Sequence, residues 1–285
     1  MIPSIPHNAF LRNIYRTYVA LFFIYLAAPL VVVSVFAFND SLFPSPPWEG
    51  FTLDWFFGPN EPRQGLFHDR SLLNAIVVSL FVAVSVTVLS VAVGTTNAFL
   101  FERESFRFKN LAYVLMLTPL VIPGIILGIS ILVMSSGIAN RADDALGIEI
   151  EALRPGIILV VLGQFSFIAT IATLVISARL RKFDIGLEEA ALNLGATRWA
   201  AIRTVTMPYL APAMLGAGIV AFLMSFENFN TTLMLVGSDA PLTIALFDRL
   251  KEGSTPVLNA VSLLLMVASA VLALIMIALQ REQRD

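Results

Sequence analysis

Glu227 is a lone carboxylate in a long apolar run, with Ser225, Asn228, Asn230, Thr231 and Thr232 close by. A charge at the centre of a membrane helix costs roughly 2.5 to 3.5 kcal/mol on insertion scales, so it normally faces a polar interior. There it could hold a cation in a translocation path or act as a gate. It could equally be a structural acid, hydrogen-bonded to its neighbours or protonated. On a continuous helix Asn228 and Asn230 would project to nearly opposite faces around Phe229. Farther back, Pro119, Pro123, Gly124 and Gly128 cluster within one apolar stretch. Prolines remove backbone donors and glycines tolerate close approach, so a kink or local unwinding is expected there, as a pathway-lining hinge or as ordinary tight packing. Gln164 and Ser166 suit interhelical hydrogen bonding as well as substrate contact.

These residues make sense only inside a membrane, and the composition agrees. Of 285 residues, 58% are hydrophobic and 13% charged, where soluble domains carry about 25%. A net charge of -2 also excludes a nucleic-acid-binding chain and a highly charged disordered one. A span needs about 20 apolar residues. Six such stretches occur, at about 18–38, 72–100, 111–135, 155–178, 209–236 and 258–279. The expected fold class is thus an all-α membrane protein, one transmembrane domain of six helices over 1–285. Arg12 and Arg16 precede the first stretch as in a signal peptide, but its apolar core exceeds the roughly 7 to 15 residues of a cleavable one. It reads as a retained helix.

With an even number of spans both termini share a side. That side, with the loops joining spans two to three and four to five, carries twelve of the eighteen Lys and Arg residues. It holds seven acids against twelve opposite, which leaves Glu227 within the membrane. Positive charge marks the cytoplasmic face, so both termini are expected in the cytoplasm. In the first external loop, about 39–70, Pro44, Pro46, Pro47, Pro59 and Pro62 forbid a long helix while Trp48, Phe51, Trp55, Phe56 and Phe57 crowd together. The loop reads as an aromatic belt at the lipid interface, or as a surface on which an external partner docks.

The cytoplasmic segment 183–208 is too long for a simple hairpin and too patterned for disorder. It reads as two short helices. In the first, Leu187, Ala190, Ala191 and Leu194 form a narrow apolar stripe, and Asp184, Glu188 and Glu189 near its start favour the helix dipole. Gly195 suits the left-handed conformation that ends a helix, and Thr197 can cap a second helix bearing Trp199, Ile202 and Val205, with Pro208 beginning the fifth span. Alanines at the centre of the stripe allow close approach to another protein, the geometry of a docking helix. An amphipathic helix lying at the headgroup level has the same pattern.

The run Glu189-Ala190-Ala191, three residues, Gly195, nine residues, Val205, one residue, Met207-Pro208 closely resembles the EAA loop of permease subunits of bacterial ABC importers. That family usually has Ile and Leu where this chain has Val205 and Met207. The resemblance extends over nearly the whole chain and implies the type I ABC importer permease fold, with a coupling helix between the fourth and fifth spans inserted into a cleft of the ATPase. It assigns ATPase coupling to Glu189, Ala190, Ala191 and Gly195, with Arg198 and Trp199 beside them. Three segments are similar to the second permease of spermidine/putrescine-type systems: Ala28-Pro29-Leu30 through Phe38-Asn39-Asp40-Ser41 to Trp48-Glu49-Gly50-Phe51-Thr52, the Pro119 to Pro123 break, and Pro241-Leu242 through Ser254-Thr255-Pro256-Val257-Leu258-Asn259-Ala260.

The implied assembly has two different permeases, a pair of ATPase subunits binding ATP and magnesium, and a periplasmic or extracellular substrate-binding protein, set in the lipid bilayer of a bacterial inner membrane. Candidate pathway residues are Glu227, Asn228, Asn230, Pro119 and Pro123. Where the polyamine pattern has two adjacent Asp, this chain has Glu227 and Asn228. Loss of one carboxylate weakens the Coulombic preference for a dication, so a monocation, zwitterion, organic acid or other small polar metabolite competes with a polyamine.

No catalytic site, metal site or cofactor is expected in the chain itself. None of Lys109, Lys182 and Lys251 follows a Gly as a P-loop requires, Cys is absent, and His7 and His68 fall on opposite sides of the membrane. A self-sufficient secondary transporter would call for internal repeats and several intramembrane ionisable groups, of which Glu227 alone is present. A non-transporting scaffold could use the docking helix but has no need of a polar fifth span.

Overall fold

The computed structural model describes residues 9–44, 46–253 and 255–281; His7, Ser254, Glu282, Arg284 and Asp285 lie outside them. In chain order the helices are α1 (Ala9–Phe36), α2 (Asp54–Phe57), α3 (Arg70–Arg103), α4 (Lys109–Val121), α5 (Gly124–Leu146), α6 (Ile157–Leu180), α7 (Gly186–Asn193), α8 (Arg198–Ala201), α9 (Met207–Phe226), α10 (Asn230–Leu235), α11 (Leu242–Glu252) and α12 (Val257–Arg281). Among the described residues, five stretches are long and apolar enough to cross a membrane: α1, α3, α5, α6 and the run Arg198–Phe226. Val257–Val271, within α12 and the sixth expected span, is a shorter apolar helix, as is α4.

The third expected span, 111–135, is two helices. α4 ends at Val121, Ile122 is extended at φ -76°, ψ 129°, and Pro123 precedes α5. A residue before proline is steered out of the helical region, and proline offers no N–H to continue the ladder. Pro119, by contrast, is accommodated inside α4. α5 continues to Leu146, so Asp143 and Asp144 belong to a helix and not to the external loop expected there.

The fifth expected span, 209–236, is broken as well. α9 stops at Phe226, Glu227 caps it at φ -90°, ψ 1°, and α10 begins at Asn230. Glu227 therefore stands at a helix end, not at a helix centre, and Asn228 and Asn230 are not helical neighbours. The Asn228 Oδ1 accepts both the Thr232 N–H at 3.2 Å and the Thr232 hydroxyl at 3.0 Å. Such local side-chain bonds compete with the helical ladder and restart it one turn later.

The second loop helix is not a separate element. α8, a π turn over Ile202–Thr206 and α9 run on as one. Across the π turn the Met207 N–H reaches the Ile202 carbonyl. This widening gives the Pro208 ring room that an α turn would deny it, so Pro208 sits in the first turn of α9 instead of separating two helices.

Two compact units are present. In the larger, comprising 71–248 and 269–285, α6 supplies Leu159, Val160 and Ile168 to a core with Val82, Val86 and Leu235. Close approach depends on small residues: a Cβ on Gly94 of α3 would lie 2.9 Å from the Ala172 Cβ and the Thr173 nitrogen of α6. The smaller unit comprises 1–70 and 249–268. Its α1 contains no buried residue. Its segment after α1 is organised by buried Asn39, whose Oδ1 accepts the Glu49 N–H at 2.8 Å, whose Nδ2 donates to the Pro47 carbonyl at 3.2 Å, and whose carbonyl accepts the Trp55 indole N–H at 2.7 Å. The aromatic crowd divides accordingly: Trp55 and Phe56 are buried, while Trp48, Phe51 and Phe57 remain exposed.

Candidate functional site

The two helix breaks lie side by side. A Cβ on Gly124, the first residue of α5, would lie 3.1 Å from the Asn230 Cβ, and one on Gly128 would lie 2.9 Å from the Met234 Cβ. Only glycine lets α10 press against α5 this closely. The Thr231 hydroxyl donates to the Gly124 carbonyl at 3.3 Å. At the Pro123, Gly124 and Gly128 cluster the chain both breaks and packs tightly.

Behind α10 lies a buried polar network. Gln164 of α6, 1% exposed, donates from Nε2 to the Thr232 hydroxyl at 2.8 Å and accepts from the Ser225 hydroxyl through Oε1. The Thr232 hydroxyl in turn donates to Asn228 Oδ1, and the Thr243 hydroxyl donates to the Asn228 backbone carbonyl at 3.1 Å. Gln164 is thus an interhelical bridge, and Ser166 bonds back to the Gly163 carbonyl at 2.7 Å.

In front of the network is a pocket of about 280 Å³ lined by Phe167, Met224, Glu227, Asn228, Phe229 and Asn230. Glu227 and Asn230 are exposed to it. Among the described residues no side-chain hydrogen bond or ion pair engages the Glu227 carboxylate. Phe229 is braced edge-on against Phe247, ring centroids 4.8 Å apart. A free carboxylate between two amides and two aromatic rings can bind a small organic cation by charge, hydrogen bonds and ring faces. Of the candidate pathway residues, Glu227, Asn228 and Asn230 meet here; Pro119 and Pro123 do not line the pocket.

The segment 183–208 presents a second arrangement. α7 starts with the Asp184 Oδ1 accepting the Gly186 N–H at 2.9 Å and ends at Gly195, whose φ of +92° lies in the region that favours glycine. The Thr197 hydroxyl caps α8 by accepting the Ala200 N–H at 3.2 Å. α7 has no buried residue, and Glu189, Ala190, Arg198 and Trp199 are exposed while Ala191 is half-buried. Leu194 is 90% and Trp199 71% exposed, which leaves a large apolar surface facing outward.

Glu188, by contrast, turns inward. Its carboxylate accepts Arg103 Nη1 at 3.3 Å and Nη2 at 3.2 Å, and also the Thr206 hydroxyl. Nearby, Arg181 Nε bonds both oxygens of Glu102 at 2.9 Å, and that hydrogen bond with its charge raises the Arg181 pKa above its ordinary value. Sequence reasoning gave Glu188 only a helix-dipole role and gave Arg103 and Thr206 none. No sequence signal links them, because 85 residues separate Arg103 from Glu188.

The family described as binding-protein-dependent transport system inner membrane component matches residues 90–282. Similar proteins include the putrescine transport system permease protein PotI of Escherichia coli (strain K12), 28% identical over 255 residues, covering 89% of this chain and 85% of that one. The spermidine/putrescine transport system permease protein PotC of the same strain is 26% identical over 275 residues, covering 96% and 93%. A solved bacterial ABC transporter involved in the import of the acidic polysaccharide alginate matches with a TM-score of 0.70 at 17% identity, over 96% of this chain and 95% of that one. A bacterial alginate ABC transporter in complex with an alginate pentasaccharide-bound periplasmic protein matches with a TM-score of 0.70 at 16% identity, over 96% and 94%. The fold is shared with these permeases.

Proposed function

As the chain belongs to the family of binding-protein-dependent transport system inner membrane components, a multi-pass permease family, we propose that the solute crossing its half of the path is an alkylammonium of the polyamine class. One observation carries this reading: the unpaired Glu227 carboxylate opens onto a pocket whose other walls include the Phe167 and Phe229 rings. An ammonium gains from the charge and the ring faces, and methylene groups gain from Phe and Met contact. The names of PotI and PotC, putrescine and spermidine/putrescine permeases, support the same class. A second reading, a monocation or zwitterion, is favoured by the pocket's amides, since Asn228 and Asn230 leave Glu227 as its one carboxylate.

Hydrolysis of ATP with magnesium belongs in this reading to a separate pair of ATPase subunits, which dock on α7 through Glu189, Ala190 and Ala191 and on α8 through Arg198 and Trp199. Gly195 sets the turn that presents Leu194 to them. A second, different permease completes the path, and a substrate-binding protein docks on the exposed aromatic residues of the external segment. Both termini lie in the cytoplasm, where the basic residues concentrate.

The test is the ATPase activity of the co-purified complex in lipid, with the candidate binding protein and a panel of polyamines, zwitterions and organic acids. Stimulation by a polyamine-loaded binding protein is expected. Stimulation by zwitterion or organic acid alone would overturn the polyamine reading. Purification without any ATPase, with solute moving down its gradient through the chain alone, would overturn the importer reading itself.

A further inference from the structure

The cytoplasmic cluster of Arg103, Glu188 and Thr206 joins three elements at one carboxylate. Glu188 lies in the first turn of α7, Arg103 ends α3, and Thr206 ends the π turn that leads into α9. Consecutive helical residues point about 100° apart, so the neighbouring acids divide: Glu189 is exposed while the Glu188 side chain is 18% and the Arg103 side chain 20% exposed. Fork-on-carboxylate geometry fixes orientation as well as distance, and bonds to charged groups are the strong ones. The Arg103 guanidinium also lies 5.4 Å from the centre of the Phe183 ring, which holds it from the other side.

Among the described residues, no other side-chain hydrogen bond or ion pair joins a residue of α7 to a distant element. None of its residues is buried, and Leu187, Leu192 and Leu194 are all exposed. Thr204 spends its hydroxyl on the Ala200 carbonyl one turn back, as helix threonines do, whereas fully buried Thr206 gives its hydroxyl to Glu188. A single-turn π segment inside an α-helix is rare and frequently lies at a functional site. The turn that Glu188 grips is thus the π turn of the Arg198–Phe226 run, which ends beside Glu227 and the pocket.

We propose that Glu188 is the positioning residue of the transport stroke: with Arg103 and Thr206 it forms a three-way clamp that transmits displacement of α7 to the π turn at the start of α9. Glu188 touches neither solute nor ATPase in this scheme. The inference rests on α7 being the ATPase-docking helix, and the experiment separates the two.

Complete transporters carrying Glu188→Gln, Thr206→Val, Thr206→Ser, the exchanged pair Arg103→Glu with Glu188→Arg, or Leu194→Asp are purified and placed in vesicles. The readouts are ATPase subunit retained and ATP hydrolysed per solute transported. Glu188→Gln and Thr206→Val are expected to keep the ATPase bound while raising ATP used per solute about tenfold, the scale of one charge-assisted hydrogen bond. Thr206→Ser, which keeps the hydroxyl, and the exchanged pair, which keeps the ion pair, return toward the wild-type ratio. A wild-type ratio in Glu188→Gln or Thr206→Val overturns the clamp, as does a Thr206→Ser variant as defective as Thr206→Val. If Glu188→Gln fails to assemble, the two Thr206 variants decide. Leu194→Asp alters only the exposed tip, so loss of the ATPase supports docking through α7, and full retention overturns docking independently of the clamp.

Discussion

Glu227→Gln removes one negative charge from the pocket at the α9–α10 break and keeps the side chain's length and hydrogen-bonding capacity. For an ammonium about 4 Å away, the Coulomb energy is about 4 kcal/mol at an effective dielectric near 20 and about 1 kcal/mol in bulk water. Because Glu227 is exposed to the pocket, the wetter end of that range applies. A loss of about 1 kcal/mol, roughly fivefold, is the expected scale. A binding protein that delivers the solute sets the apparent KM outside the membrane, so the loss should fall on the maximal rate. The assay is initial uptake by vesicles holding the complete transporter, at saturating loaded binding protein and at two ionic strengths. Salt screens the wild-type carboxylate and has no charge to screen in the variant, so the gap should narrow as salt rises. Equal maximal rates at low salt would refute the placement of Glu227 in the path. A defect that ignores salt would show that the carboxylate shapes the break instead of attracting a cation.

Gln164→Leu deletes the amide that bridges Ser225 and Thr232. At about 0.6 kcal/mol per hydrogen bond within membranes, thermal unfolding of the purified complex should fall by a few degrees, and an unchanged midpoint would remove the bridge from the account of the break. Gly128→Ala forces a Cβ to within 2.9 Å of the Met234 Cβ and 3.1 Å of the Thr231 carbonyl oxygen, whereas Gly137 on the same helix has nothing within 4 Å. An overpacking cost of about 1 to 3 kcal/mol is expected at Gly128. Assembly yield should drop for Gly128→Ala and stay level for Gly137→Ala; equal yields would contradict the close approach of α5 and α10.

The sequence locates both breaks as clusters but not as stopping points. Phe226, Phe229 and Leu233 keep the apolar signal high across 225–236, so a hydropathy reading carries the fifth span straight through Glu227. What ends the helix is the competition of the Asn228 side chain for the Thr232 N–H, a local event that hydropathy does not register. Gly195 and Thr197 are legible because a left-handed turn and an N-cap are properties of single residues and their immediate neighbours. Glu188 is not, because Arg103 and Thr206 decide which of two adjacent acids turns inward. The motif marks Glu189, and the fold turns its neighbour inward onto Arg103 and Thr206. Gln164 was open between two readings for the same reason, its partners lying 61 and 68 residues away.

Interrupting a helix inside a membrane exposes backbone groups that lipid cannot satisfy, so breaks are tolerated only where protein or a cavity covers them. Here the covering is done by side chains on neighbouring elements. Thr231 supplies a proton to the Gly124 carbonyl at the α5 break, and Thr243 supplies one to the Asn228 carbonyl at the α9 break. The Gly156 N–H does the same at the far end of α10, reaching the Leu235 carbonyl at 2.9 Å. Gln164 then ties the last turn of α9 to α10 across the gap. Among the described residues, no side-chain hydrogen bond or ion pair engages Glu227 or Asn230 on the pocket side. A carboxylate is expensive to place in a membrane, and this one opens onto the pocket, where a cationic solute is the occupant its charge favours.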